Sequence, residues 1–492
     1  MRSGRALAAG CVFALAVAAC QRQPAPPPPP AQATAAAPSQ SGRPVPPLID
    51  DLEHRTFDYF WELTNPSNGL VPDRWPTPSP SSIAAVGFGL TAYGVGAERG
   101  WISRDQALDR TLATLRFFAR APQGPDEHGA AGYKGFYYHF LEMDSGLRSG
   151  NSELSTVDTT LLLGGVLFAQ SYFDRDDPRE AEVRRLADKI YGRVQWDWVQ
   201  PRPPLVSMGW RPEQGQLSND WQGYNEAILV YILALGSPTH PLDKAAYDAW
   251  TSTYDRTWGT YYEQEHLSFP PLFGHQYSAI WLDFRGIRDD YMRRRGIDYF
   301  ENSRRAVLSQ QGYANDNPGE WAGYDADVWG LSACDGPIDA SFEFKGQSRL
   351  FHTYAARGAG IEYVLDDGTI APTAAAGSIA FAPDIVIPAI EAMHRRYGAD
   401  IYGEYGFLDA FNPSFTFAEA PLHHGHLAPK TGWVDNDYLG IDQGPIVLMI
   451  ENYRSDFVWR VMRANPHIRR GLQRAGFAGG WLQPAAGTAP AR

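Results

Sequence analysis

Three apolar helical segments of this chain are each opened by a loop rich in carboxylates and amides. Leu161 to Phe168, apolar nearly all round, follows Asn151-Ser152-Glu153-Leu154-Ser155-Thr156-Val157-Asp158-Thr159. Ala227 to Leu235 follows Asp220-Trp221-Gln222-Gly223-Tyr224-Asn225-Glu226. Ile446 to Ile450 follows Asp437-Tyr438-Leu439-Gly440-Ile441-Asp442-Gln443-Gly444-Pro445. A helix without a polar face must be covered by neighbours on every side. Its polar chemistry is then confined to its ends. A helix start favours an ionised carboxylate through its unpaired N–H groups and partial positive charge. Burial opposes ionisation, and that competition tunes acids and bases. Three such starts predict carboxylates gathered around one cavity.

Helical spacing also marks Leu48 to Thr64, Ala84 to Arg99, Arg104 to Ala119, Thr156 to Phe173, Pro178 to Val194 and Glu226 to Leu235. It continues through Ala245 to Thr257, Gly274 to Arg285, Ile287 to Gln311, Pro383 to Tyr397, Ile446 to Ala464 and Ile468 to Ala475. Long alternating strands are scarce, and Gly135 to Leu141 and Gly360 to Leu365 read as the best short ones. About twelve helices in one body predict an all-α fold, an (α/α)6 toroid of helix pairs whose long loops form a bowl at one end. No fixed-period repeat supports a solenoid.

The body spans residues 47–483, preceded by a leader and a linker. Residues 1–19 carry Arg2 and Arg5 and then an apolar run too short to span a bilayer, as a signal peptide does. Val17-Ala18-Ala19-Cys20 resembles a bacterial lipobox, which implies cleavage before Cys20 and lipid on its sulfur. Gln21 after it fits sorting to the outer membrane, facing the periplasm or the cell surface. Residues 20–46 form a Pro- and Ala-rich spacer and 484–492 a disordered tail. Cys334 is alone in the body, so no disulfide framework is expected. A net charge of −13 argues against a nucleic-acid partner. The 15 Trp and 25 Tyr fit either a large aromatic core or a surface that stacks on sugars.

Further motifs tie these elements together. They are Gly94-Val95-Gly96-Ala97-Glu98-Arg99-Gly100 before Trp101-Ile102-Ser103-Arg104, Ser152 to Thr159, Asn225-Glu226, Gln276-Tyr277-Ser278, Asp283-Phe284-Arg285-Gly286, Ile441 to Pro445 and Glu451-Asn452-Tyr453-Arg454. In order and spacing they resemble the glycoamylase-like family, which holds bacterial endo-β-1,2-glucanases and the related domain of cyclic β-1,2-glucan synthases. The resemblance runs from about Leu48 to Gln473 and implies an (α/α)6 fold and glycoside chemistry. Ser152-Glu153-Leu154-Ser155 departs from the glucanase branch, and Ala279 stands where the family often has His.

Glycoside hydrolysis needs an acid for the leaving oxygen and a second carboxylate as base or nucleophile. Glu226 is the first candidate acid and Glu153 the second. Asp442 is the candidate base, acting directly or through a water or a sugar hydroxyl. Each also has a structural reading, as a helix-start carboxylate or an ion-pair partner. Asp158 suits a sugar hydroxyl or the positioning of Glu153. His139, Trp221, Tyr224, Asn225, Gln276 and Gln443 complete the substrate-binding set. Trp321, Asp327 and Trp329 suit a rim subsite, and Arg285 a clamp or a fastening of the ring. Glu451 and Arg454, at i and i+3, read as a structural ion pair. His423-His424-Gly425-His426 lacks a spaced partner, so no metal is expected. No nucleotide motif is present and no cofactor is expected.

The sequence therefore supports a hydrolase acting on a β-linked glucan, β-1,2 first, with glycosyl transfer open to the same site. A second reading is a non-catalytic glycan-binding lipoprotein, which would keep Trp221, Trp321 and Trp329 but need no matched carboxylates. The lipid on Cys20 is the one membrane anchor expected. Cys20→Ala should move the protein from the membrane fraction to the soluble fraction with the activity of the soluble domain unchanged. A variant that stays in the membrane pellet would overturn the anchor.

Overall fold

The computed structural model describes residues 42–483; Cys20, the linker before residue 42 and the tail after residue 483 lie outside them. Fifteen α-helices lie among the described residues. They are α1 (Pro47–Glu62), α2 (Ile83–Arg99), α3 (Arg104–Arg120), α4 (Thr156–Tyr172), α5 (Pro178–Gly192), α6 (Ile228–Gly236), α7 (Lys244–Thr251) and α8 (Phe273–Trp281). After these come α9 (Asp290–Arg295), α10 (Tyr299–Asp316), α11 (Pro372–Ala376), α12 (Pro383–Ile401), α13 (Gly440–Ser455), α14 (Phe457–Arg463) and α15 (Pro466–Arg474).

Two kinds of helix alternate along the chain. α2, α4, α6, α8, α11 and α13 are buried over nearly their whole surface. α1, α3, α5, α7, α10 and α12 bury one face and keep a solvent face. Glycines let the buried helices approach backbone to backbone. A Cβ at Gly87 would lie 2.2 Å from the Leu161 carbonyl oxygen, and one at Gly165 would lie 2.1 Å from the Gly87 carbonyl oxygen. Gly94 packs on Phe168, Gly440 on Ala85 and Gly444 on Phe88. Position rises with position in these pairs, so α2, α4 and α13 run parallel and start at the same end.

Several predicted boundaries shift for local reasons. The α6 helix begins at Ile228, leaving Glu226 in the preceding turn, because the Ala227 N–H donates to Asn225 Oδ1 and the Leu229 N–H to Ser278 Oγ. Ile287 to Gln311 is two helices: Gly296, at φ 79°, ends α9, and Asp298 caps α10. α13 starts earlier than predicted and ends at Asp456, at φ 58°, before α14. The five-residue α11 is too short to leave a periodic signal. Glu451 and Arg454 do not pair with each other. Glu451 takes Arg99, and Arg454 takes Glu53 and Asp50.

The loops hold many two- to five-residue strands, so helix dominates without making the fold purely helical. Five of them, Gly132–Tyr133, Phe136–Tyr138, Leu154–Ser155, Gly209–Arg211 and Gly215–Gln216, form one sheet in that order. Gly360 to Leu365 is a tight hairpin, with Gly358–Ala359 pairing back on Val364–Leu365. Cys334 is buried.

The close approach of α2 and α4 is testable. Gly165→Ala should destabilise the protein by about 1–3 kcal/mol despite the better helix propensity of Ala, because the helices must part. Gly192→Ala at the end of α5, where nothing comes closer than 3.8 Å, should be neutral or stabilising. Equal denaturation midpoints for the two variants would refute the packing argument.

Candidate active site

The starts of α4, α6, α8 and α13 meet at a cavity of about 160 Å³. Asp158 enters from the first turn of α4, Glu226 from the turn before α6, Phe273 and Tyr277 from α8, and Ile441 from α13. Ala333 and Tyr354 close it from the loops. Its walls are otherwise apolar, with Val157 and Leu161 on the α4 side.

Glu226 is held by its backbone. Ser278 Oγ donates to the Glu226 carbonyl at 2.6 Å, and Asn225 caps the next residue. Of its carboxyl, Oε2 is buried without a hydrogen-bond partner. Burial, reinforced by the charge of Asp158, pushes Glu226 up to about 7. It can therefore hold a proton at neutral pH.

Asp158 belongs to a compensated chain. Ser155 Oγ accepts the Asp158 N–H at 3.1 Å and donates to its carboxylate. His139 Nε2 lies 3.6 Å from Asp158 Oδ1, and its Nδ1 lies 3.0 Å from Glu153 Oε1. Arg211 Nη2 reaches Glu153 Oε2 at 3.4 Å. The five-stranded sheet sets this register, since the His139 N–H donates to the Glu153 carbonyl. Burial disfavours the imidazolium, but Asp158 and Glu153 outweigh it and push His139 up to about 9. The His139 hydrogen bond holds Glu153 down at about 2. Glu153 is thus an ionised partner of His139, unsuited to donating a proton at neutral pH.

Asp442 sits in the first turn of α13 beside Ile441, not in a loop. It is buried, and its Oδ2 has no hydrogen-bond partner. Burial raises its carboxyl. Tyr277 links it to the cavity: burial, and then the charges of Asp442, Glu226 and Asp158, push that phenol well above its ordinary value. Beyond Asp442 lie Asp335, Asp409 and Asp435. Among the described residues they are the one group of metal-ligating type close enough to share an ion.

Most of the predicted substrate binders serve the scaffold instead. Trp221 is buried and its Nε1–H donates to Thr156 Oγ1 at 2.9 Å. Tyr224 stacks on Tyr299 and bonds His275, deep in an aromatic cluster. Asn225 Oδ1 accepts the Ala227 N–H in the turn that leads into α6. Gln276 donates to the Thr373 and Ala374 carbonyls and to Ser378, tying α8 to α11. Gln443 donates to the Phe407 carbonyl at 2.9 Å. Arg285 lies past the far end of α8, bound to Asp283 and Asp456 and stacked on Trp459, so it fastens the fold away from the cavity. Trp321 and Trp329 are buried, Trp321 against Phe344 and Phe351. Asp327 is exposed, 3.9 Å from Arg396. His139 acts on Asp158 and does not line the cavity. Aromatic residue type alone does not tell a stacking platform from a core side chain.

The cavity adds residues that the sequence did not single out. Phe273 and Tyr277, at i and i+4, present one face of α8, and Tyr354 comes from a loop without a helical or strand pattern. A larger surface groove of about 720 Å³ lies along Lys244, Asp248, Asp290 and Arg293. Its charges already pair with one another, as in Lys244 with Asp248 at 2.5 Å and with Asp290 at 3.5 Å. It offers no uncompensated acid.

Comparison with known proteins places this arrangement in a family. Residues 218–466 match the family model described as putative glucoamylase. The chain is similar to a crystal structure of a putative glucoamylase from Bacteroides uniformis, at 30% identity and a TM-score of 0.76, covering 89% of this chain and 98% of that one. It is similar to an endo-β-1,2-glucanase from Chitinophaga pinensis, solved with sophorotriose and glucose. There the identity is 28% and the TM-score 0.74, covering 88% of this chain and 98% of that one. A curated relative from Parabacteroides distasonis, an exo β-1,2-glucooligosaccharide sophorohydrolase (non-reducing end), is 29% identical over 462 residues, 87% of this chain. The chain spans 57% of the length of that relative. With its helical body, its match over half its length and these neighbours, the chain belongs to the glycoamylase-like family.

Proposed function

We propose that this chain is a glycoside hydrolase that cleaves β-1,2-linked glucan or its oligosaccharides, with Glu226 as general acid. The observation that carries the reading is a buried carboxyl whose Oε2 has no hydrogen-bond partner, in a cavity shared with Asp158, which His139 ties to Glu153. A binding protein has no need of a neutral carboxyl there. The substrate class follows the relatives, which are named for β-1,2-glucans. The alternation of fully buried and half-buried helices supports a closed ring of six helix pairs, with the site at the end where the buried helices start. The lipobox supports a lipoprotein anchored through Cys20 to the outer membrane.

Glu226 in the cavity and Asp442 beside Ile441 at the start of α13 support a general acid–base mechanism. Glu226 gives its proton to the glycosidic oxygen as the bond to the anomeric carbon breaks. Asp442 takes a proton from the incoming water, directly or through a water or sugar hydroxyl, as the water oxygen bonds the anomeric carbon. Transfer to a sugar hydroxyl in place of water uses the same groups. Asp158 accepts a sugar hydroxyl, and His139, charged by Glu153, holds it in place. Glu153 and His139 are positioning residues.

Product analysis on β-1,2-glucan, sophorose-series oligosaccharides, laminarin and starch tests the assignment. Release of products from the β-1,2 substrates is expected, and no turnover of any of them would leave the glycan-binding reading. Glu226→Gln should lower kcat by about 10²–10⁴-fold or more while the protein still folds. An active variant would remove Glu226 from the chemistry.

The pH dependence has a defined sign. Glu226 works protonated, so activity should fall tenfold per pH unit above about 7. Its folded pKa is raised from 4.5, so the stability from its neutral form is complete below pH 4.5 and is lost as pH rises through about 7. At pH 8 Glu226→Gln should therefore be more stable than the parent, by up to about 3 kcal/mol, and at pH 4 it should not. Parallel melting curves across that range would contradict the raised carboxyl. His139→Gln should raise KM more than it lowers kcat, and should lower the melting temperature at pH 7, where the imidazolium sits between Asp158 and Glu153. A pure kcat loss would place His139 in the chemistry instead.

A further inference from the structure

Behind Asp442 the chain assembles carboxylates from three distant segments. Asp335 follows the strand Ala333–Cys334, Asp409 precedes Phe411–Asn412, and Asp435 follows Gly432–Val434. All three side chains are buried, at 2%, 2% and 0% exposure. One oxygen from each lies within 4.8 Å of the others. The frame is stiff, since Phe411–Asn412 pairs with Gly432–Val434, the Asp435 N–H donates to the Ala410 carbonyl, and the Asp409 N–H donates to the Asp437 carbonyl.

Asp409 and Asp435 are each fixed by one oxygen and leave the other uncommitted, while Asp335 Oδ2 accepts Arg74. Asp409 Oδ2 accepts the Asp335 N–H at 2.7 Å, while its Oδ1 has no partner. Asp435 Oδ1 accepts the Asn436 and Asp437 N–H groups, while its Oδ2 has no partner. A fourth carboxylate outside this group, Asp442, lies against Asp409 with its own Oδ2 buried and unpartnered. The nearest cation, Arg74, is already divided: its Nη1 meets Asp335 at 2.6 Å and Asp437 at 3.6 Å, and its Nε meets Asp73 at 3.5 Å. Buried charges are paired or hold a metal, and one guanidinium does not match this many carboxylates.

We propose that Asp335, Asp409 and Asp435 bind a calcium ion that ties the loop before α13 to the loops after residues 334 and 407. The donor set is all oxygen, as a hard cation requires. Oxygens on opposite sides of Ca²⁺ stand about 4.6–5.2 Å apart, so the observed spacing accepts the ion without collapse. Backbone carbonyls and water complete the shell in an irregular geometry that calcium tolerates and magnesium does not. The site lies beside the proposed base without including the proposed acid, and its role is to hold the frame.

The test uses the purified full chain. Elemental analysis should find one calcium per chain, or titration calorimetry of chelator-treated protein with CaCl₂ should show one site. Chelation should lower the melting temperature by several degrees, and CaCl₂ but not MgCl₂ should restore it. Asp409→Asn and Asp435→Asn should abolish that response, whereas Glu226→Gln, inactive by the mechanism above, should keep it. Silent calorimetry together with a melting temperature indifferent to chelator and CaCl₂ would overturn the site, as would a response to MgCl₂ alone. If no ion binds, Asp435→Asn should instead stabilise the protein by removing repulsion, and that result also overturns it. The measurements on the parent protein decide the matter even if an Asn variant fails to fold.

Discussion

The structure depends on the contact of α2 with α4, where Gly87 and Gly165 bring two backbones to a distance that no side chain allows. The same economy recurs where Gly440 and Gly444 of α13 meet α2. Helices packed this closely on several sides retain no solvent face. Polar chemistry is then excluded from their middles and displaced to their starts. Buried starts must satisfy orphan N–H groups, and here neutral side chains do so: Ser82 for α2, Ser155 for α4 and Asn225 for the turn into α6. Because hydroxyls and an amide serve as caps, Glu226 is not consumed as one.

What remains at the starts is a division of charge. Arg211, Glu153, His139 and Asp158 alternate in sign from the protein surface to the cavity, so each charge is stabilised by the next. Glu226 faces that chain with no cation of its own. Two carboxylates in one cavity thereby sit in unlike surroundings, Asp158 beside an imidazole and Glu226 beside none, the kind of asymmetry that acid–base chemistry on a glycosidic bond uses. The apolar walls from Leu161 and Phe273 sharpen the contrast, since a low-dielectric wall penalises the uncompensated carboxylate and scarcely touches the paired one.

How far the sequence carried this picture differs between fold and site. Long amphipathic or fully apolar segments such as α2, α3, α4 and α5 were legible to within two residues, because burial imposes a periodic pattern. Glu226 and Asp158 were legible as cavity residues for the same reason: both open an apolar helix. The partners were not. Trp221 and Trp329 share their residue type with sugar-stacking platforms, yet Trp221 turns its indole N–H inward to Thr156. Tyr354 comes from a loop with no pattern to mark it. Asp335, Asp409 and Asp435 are single aspartates in three separate loops. A search for metal-ligand spacing, guided by the adjacent histidines at 423, 424 and 426, has no means of joining them.

Glu153 and Glu226 show where local reading ends. Both are glutamates a few residues before a fully buried helix, and sequence ranks Glu226 ahead of Glu153 without excluding either. The chain separates them through residues that neither motif contains. His139 reaches Glu153 only because Tyr137 and Tyr138 pair in register with Ser155 and Leu154, and a slip of one residue would turn the imidazole to the other face of the sheet. Arg211 arrives from a third strand of the same sheet. Glu226 meets no such strand, because Asp220–Trp221 pairs with Val206–Ser207 and the chain turns into α6 before another cation can approach. The role of each glutamate is therefore written in strand register: the sheet that delivers a cation to Glu153 makes it a structural anion, and the lack of one beside Glu226 leaves a carboxyl that can carry a proton.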